Sequence, residues 1–104
     1  MLVQSFKYNE IVSMKLTTGE EIVAKFMEID DSGYRVNKPL VLAVTANGPS
    51  LTPFLFTASI DNDLVIPKNA VIAMASTEKQ TAGQYIKGTT GIIAPTGAGV
   101  GRLF

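Results

Sequence analysis

Two short stretches carry side chains that could meet a ligand. In the first, Tyr34 and Arg35 are followed by Asn37; in the second, Lys68 and Asn69 follow Pro67. An aromatic ring stacks on a nucleobase, an amide reads a base edge, and a cation meets a phosphate. These are the contacts by which proteins hold single-stranded RNA. The same residues also have plainer readings. Tyr34 fits an alternating strand as a core residue, and Lys68-Asn69 fits an ordinary polar turn. The residues alone leave both readings open.

Other arrangements are poorer in chemistry. Asp30 and Asp31 are adjacent, and at a strand end neighbouring side chains point to opposite faces, so they do not share one proton or one metal. Asp61-Asn62-Asp63 opens like a calcium loop, but the glycine and the bidentate glutamate such a loop needs do not follow. Gly97-Ala98-Gly99-Val100-Gly101 has the look of a phosphate cradle, yet it follows no convincing strand and opens no helix. The chain contains no histidine and no cysteine. A Ser-His-Asp triad, a Cys-His dyad, a His-ligated zinc site and a disulfide framework are all excluded within one chain. No lysine sits in a run that suggests burial as a base. The expectation is a protein that is not an enzyme and holds no cofactor or metal.

The bulk composition agrees with a binding or structural role. Nine basic and nine acidic residues cancel, which excludes a uniformly basic nucleic-acid binder but not a local basic patch. Charged residues are 17% of the chain and hydrophobic residues 46%. Soluble domains usually carry about 25% charge, so much of this surface is expected to be covered. A chain of 104 residues suits one small domain, and a small core gains from a partner. The opening, MLVQSFKYNE, does not read as a signal peptide. Residues 39–60 contain no charge, but Pro49 and Pro53, with Asn47, Gly48 and Ser50, break the run into pieces of strand length. Two buried strands around a turn fit better than a membrane span.

The elements that would position Tyr34 and Lys68 are strands. Val12, Met14 and Leu16 alternate with polar residues, and Thr18-Gly19-Glu20 turns the chain. Ile22, Ala24 and Phe26 resume the alternation; Val23, Met27 and Ile29 imply a strand covered partly on both faces, or one that bends. After Asp30-Asp31-Ser32-Gly33, a strand is expected with Tyr34, Val36, Leu40, Leu42 and Val44 on one face. Residues 45–50 read as a turn, residues 51–60 as an uncharged strand, Leu64-Val65-Ile66 as a strand stub, and residues 70–75 as a closing strand. Five strands with closely spaced turns describe a small all-β barrel or sandwich. Residues 2–9 fit either a short helix or an extra strand. We divide the chain into a barrel with its N-terminal arm, residues 1–76, and a Gly/Thr-rich tail, residues 77–104. Within the tail, residues 78–86 could make two helical turns, and beyond Lys87 glycine is too dense for regular structure. Ile92, Ile93, Leu103 and Phe104 are candidate anchors that would dock the tail on its own barrel or on a neighbouring subunit.

The pattern Val12-x-Met14-x-Leu16-x-x-Gly19-x-x-Ile22-x-Ala24-x-Phe26-x-x-Ile29-Asp30 resembles the first Sm motif of the Sm and Sm-like proteins, which include bacterial Hfq. In that motif a small residue, usually glycine, sits where the second strand bends sharply, and Ala24 holds that place. Ile66-Pro67-Lys68-Asn69-Ala70-Val71-Ile72 is similar to the second Sm motif, and especially to its bacterial Lys-His-Ala-Ile form, with Asn69 in place of the histidine. The resemblance covers roughly residues 10–76. It departs in the loop after the second strand, where Asp31-Ser32-Gly33 are extra, and in the absence of the family's Arg-Gly or Lys-His pair. The chain, with its Leu-Thr-Thr-Gly-Glu-Glu segment, is also similar to small Sm-like proteins encoded by phages of marine cyanobacteria.

The resemblance implies a strongly bent five-stranded antiparallel sheet in an SH3-type barrel. It implies a homo-oligomeric ring of about five to seven subunits, closed by strand pairing between neighbours. It also implies single-stranded RNA around a central pore, met by Lys68 and Asn69, with Tyr34, Arg35 and Asn37 nearby, inside a bacterium or a phage-infected bacterial cell. An uncharged strand over residues 51–60 would lack the protections of a free edge, which gives ring closure a second motive. The rival expectation is a structural or assembly module, encoded by a phage, that binds protein and no nucleic acid.

Overall fold

The computed structural model describes residues 5–90. They form one antiparallel sheet and one helix. The strands are β1 (Ile11–Leu16), β2 (Glu21–Asp30), β3 (Gly33–Thr45), β4 (Gly48–Pro53), β5 (Asp63–Ile66) and β6 (Val71–Ser76). A 3-10 turn, Lys68–Ala70, joins β5 to β6, and helix α1 (Lys79–Thr90) follows β6. The strand order is β4-β3-β2-β1-β6, with β5 also on β3.

The link from β5 to β6 forces the sheet to curl. β5 lies beyond β3 at one margin and β6 beyond β1 at the other. A flat sheet would hold these margins about 19 Å apart, at roughly 4.8 Å per strand. Only Pro67 and a 3-10 turn join them, and that turn rises about 2 Å per residue. The sheet therefore wraps a core of Val12, Met14, Leu16, Ile22, Ala24, Phe26, Val36 and Ile66. The Thr17 amide bonds to the Ala70 carbonyl at 2.8 Å, drawing the β1–β2 turn to the link. The sheet curls without closing.

Alternation in β1 and the first half of β2 runs as the sequence implies: Val12, Met14, Leu16, Ile22, Ala24 and Phe26 are all buried. β3 departs from it. Val36 lies in the wrapped core, whereas Leu40 belongs to a second cluster on the opposite face, with Val23, Leu51 and Tyr85. The register explains the switch. Val23 faces Leu40 and Lys25 faces Asn37, so β3 carries one extra residue opposite Ala24. Lys38 stands at φ 50, the left-handed conformation of a bulge. One inserted residue reverses every later side chain, and the expectation of a single face for Tyr34 through Val44 is corrected: Val44 is 81% exposed. A second shift, between Phe26 and Glu28, makes Met27 the extra residue of β2, and Ile29 is exposed.

The expected strand over residues 51–60 is also corrected. β4 begins earlier, at Gly48, and ends at Pro53; residues 54–62 form no strand, and β5 then resumes along β3. Leu40 pairs with Pro53 and Asn37 with Asp63, so the detour lies opposite Lys38-Pro39. Pro39 has no amide hydrogen to offer a ladder there, and Lys38 is turned out of extended conformation. Of the expected strand only residues 51–53 pair, within β4, while β5 falls on the expected Leu64–Ile66 stub, and the sheet has six strands. Residues 45–50 are not all turn, since Thr45 pairs directly with Gly48.

At the N-terminus, residues 5–9 are neither helix nor strand, and residues 1–4 lie outside the described residues. Phe6 packs on Phe26, with ring centroids 5.9 Å apart. Helix α1 runs on to Thr90, past the point where the glycines were expected to end regular structure. Glu78 caps it, accepting from the Thr81 amide at 3.0 Å and the Thr81 hydroxyl at 2.8 Å. Among its described residues Tyr85 is the one fully buried side chain. The candidate anchors Ile92, Ile93, Leu103 and Phe104, and the Gly97–Gly101 segment, lie outside the described residues. Among the described residues no helix is long and apolar enough to cross a membrane.

Candidate functional site

Lys68 and Asn69 sit in the 3-10 turn, both exposed, held there because Pro67 starts the turn and the Ala70 amide closes it on the Pro67 carbonyl at 3.0 Å. Lys68 makes no ion pair among the described residues. The end of the β2–β3 hairpin lies against this turn. A Cβ on Gly33 would stand 2.3 Å from the Ile66 carbonyl oxygen and 3.0 Å from the Pro67 Cα. Tyr34 is the register partner of Ile66, and Arg35 of Val65. Four of the five sequence candidates are therefore brought to one end of the sheet.

Their side chains are engaged to different degrees. Tyr34 is half-buried and packs on the wrapped core. Arg35 bonds Glu28 (Nε to Oε2, 3.2 Å) and Asp30 (Nη2 to Oδ2, 3.4 Å). The Ser32 amide, and then the Arg35 guanidinium, hold the Asp30 carboxyl below its usual range, and Asp30 in turn raises Arg35. Both partners are more than a third exposed or close to it, so these pairs are weak in energy and act mainly to aim the guanidinium. Arg35 is electrically matched, which leaves Lys68 as the cation at this end without a partner among the described residues.

Asn37 lies further along β3 and faces another task. Its Nδ2 donates to the Asp61 carbonyl at 2.9 Å and to Asp63 Oδ1 at 3.0 Å. Lys38 Nζ bonds Asp61 Oδ1 at 2.9 Å. These bonds pin the 54–62 loop, whose apex exposes Phe56 (81%) and Leu55 (44%). Sequence reasoning passed over Glu28, Asp61 and Asp63 as partners because they are 7, 24 and 26 residues from the groups they bind. Glu28 faces Arg35 across the β2–β3 hairpin, a pairing its turn could have signalled; no local pattern signals the other two.

On the opposite face, Tyr85 donates its phenol hydrogen to the Lys38 carbonyl at 2.5 Å, with the Asn37 carbonyl 3.3 Å away. Burial pushes the phenol's pKa up, so it stays a donor. Beside it, between the first half of α1 and the sheet, runs a groove of about 420 Å³ with Val23 and Leu42 among its apolar lining and Glu21 and Glu78 among its acids. No family model matches the chain, and no curated protein matches it.

Proposed function

We propose that this protein is a non-catalytic, Sm-like ring protein that binds single-stranded RNA at the sheet end where Lys68 and Asn69 adjoin Tyr34 and Arg35. The observation that carries the reading is the contact of Gly33 with Ile66 and Pro67, which sets the β2–β3 hairpin beside the Lys68 turn. Two distant segments that each hold binding-type side chains share one end of the curled sheet. In a closed ring, one weak site per subunit would recur around a pore, and avidity would multiply it. The bent sheet, with Ala24 opposite a bulge in β3, is in keeping with an Sm-type barrel. Its two margins, β6 on one side and β4 with β5 on the other, are the edges a ring would join. On this reading the protein works inside a bacterium or a phage-infected cell.

The second reading is an assembly module that binds protein. The exposed Phe56 and Leu55, held out on a pinned loop, favour it, as does the matching of Arg35 by two carboxylates. Fluorescence anisotropy with uridine- and adenine-rich oligonucleotides separates the two. RNA binding should weaken with salt and fall by about fivefold or more in Lys68→Ala, because each subunit loses a phosphate contact. No binding at low salt gives the case to the assembly module.

A further inference from the structure

The β3 bulge connects helix α1 with the 54–62 loop. The backbone carbonyl of Lys38 receives the Tyr85 phenol of α1 at 2.5 Å. The side chains of the bulge reach the loop: Asn37 Nδ2 to the Asp61 carbonyl and Asp63 Oδ1, and Lys38 Nζ to Asp61 Oδ1. Lys38 holds φ 50, a conformation a lysine adopts only when its surroundings enforce it. Packing repeats the link, because Ile60 of the loop rests on the same cluster as Tyr85, Val23, Leu40 and Leu51.

Each part has a short set of contacts on this side of the sheet, to which Phe54 adds its packing on the wrapped core. Among the described residues of α1, Tyr85 is the one fully buried side chain. Among the described residues, residues 54–62 make no ladder with the sheet; their bonds there include the Asn37 and Lys38 contacts, the Phe54 amide on the Pro39 carbonyl at 3.1 Å, and turns onto Ser59 from Asp61 and Asn62.

We propose that α1 and the 54–62 loop form a single conformational switch, with the Asn37-Lys38 bulge as its pivot. With Tyr85 seated, Lys38 is fixed in the left-handed conformation, and both bulge side chains point at Asp61. When Tyr85 leaves, the backbone relaxes toward extended geometry, the two side chains lose their aim, and the loop is released with Phe56 and Leu55 on it. Release of the loop loosens Tyr85 by the same route, since coupling of this kind is reciprocal. Occupancy of the helix seat therefore sets how the apolar apex is displayed. The inference rests on hydrogen bonds and packing within one chain and stands independently of the RNA reading.

Residue-resolved hydrogen exchange on the full-length chain tests it. Tyr85→Phe keeps the ring and removes the donor. Exchange should quicken at the Ala82 amide in α1 and also at the Asp61 and Asn62 amides, by about threefold or more at each. Amides along β1 and β2 should keep their protection. Lys38→Met removes only the ammonium on the loop side, and should quicken Ala82 as well as Asp61. In the double variant the two effects should fall short of their product. Quickening confined to the mutated side, or effects that multiply independently, overturns the switch. Should Tyr85→Phe fail to fold, an unchanged Ala82 rate in Lys38→Met overturns it alone.

Discussion

A methyl group on Gly33 would lie 2.3 Å from the carbonyl oxygen of Ile66, far inside the 3.0 Å that side-chain β-carbons keep from such non-bonded atoms. Gly33 also stands at φ 139, where side chains are strained whatever the space. Gly33→Ala should therefore destabilise the fold by about 2–3 kcal/mol in urea denaturation. Gly19 is the control. It has φ 103 but open space around it, so Gly19→Ala should cost only the conformational part, about 1 kcal/mol. Equal costs would show that the hairpin end does not abut the Lys68 turn as described.

Tyr85 combines a packing role with a polar one, and two substitutions separate them. Tyr85→Phe leaves the Lys38 carbonyl without its donor at 2.5 Å and should cost about 1–2 kcal/mol. Tyr85→Ala also empties the space between Val23, Leu40 and Leu51 and should cost about 3–5 kcal/mol. Thermal denaturation of both variants checks the order; a Phe variant as stable as the parent would remove the phenol from the account.

Stability should fall in acid and change little at neutral pH. Glu10, Asp30 and Glu78 each have a lowered carboxyl pKa, caused first by the Ser76 hydroxyl, the Ser32 amide and the Thr81 amide respectively. A carboxyl whose folded pKa is depressed contributes stability that is fully present above its unfolded value of about 4 and is lost as pH falls through the folded value. The chain has no histidine, so unfolding free energy should be nearly level between about pH 5.5 and 7 and decline below about pH 4. Glu78→Gln should shallow that decline. A steep change near pH 6.5 would contradict the scheme.

If the margins of the sheet join copies into a ring, light scattering coupled to gel filtration should report about five to seven subunits at micromolar concentration. Ile72 on β6 is 63% exposed and Val65 on β5 is 36% exposed. A lysine at either position places charge on an open margin, the usual protection of a free edge. Ile72→Lys and Val65→Lys should each shift the population toward monomer. A parent protein that is already monomeric ends the ring proposal.

The parts of this fold readable in the sequence are those governed by neighbours. Val12-Met14-Leu16 and Ile22-Ala24-Phe26 announce two strands, and Gly19 and Gly33 mark their turns. The largest departure, in β3, depends on one backbone angle. Nothing in the letters Asn37-Lys38-Pro39 says that Lys38 turns to φ 50, yet that angle sends Leu40 to the opposite face from Val36 and opens the gap that residues 54–62 fill. Pro39 and Pro53 were the available hints, since neither can donate to a ladder. At the candidate site, the clustering of Lys68 with Tyr34 follows from strand pairing. The engagement of Asn37 follows from Asp61 and Asp63, which sequence position does not link to it, whereas Arg35 meets Asp30 and Glu28 across the hairpin turn.

The interrupted margin has an engineering consequence. Pro53 and Asp63 are each locked to β3 by their own ladder, through Leu40 and Asn37, and Phe56 projects between them into solvent. Closure entropy grows only with the logarithm of length. A foreign peptide spliced beside Phe56 would therefore ride outside both registers, leaving the strand pairing beneath it intact while its presentation followed the seating of Tyr85.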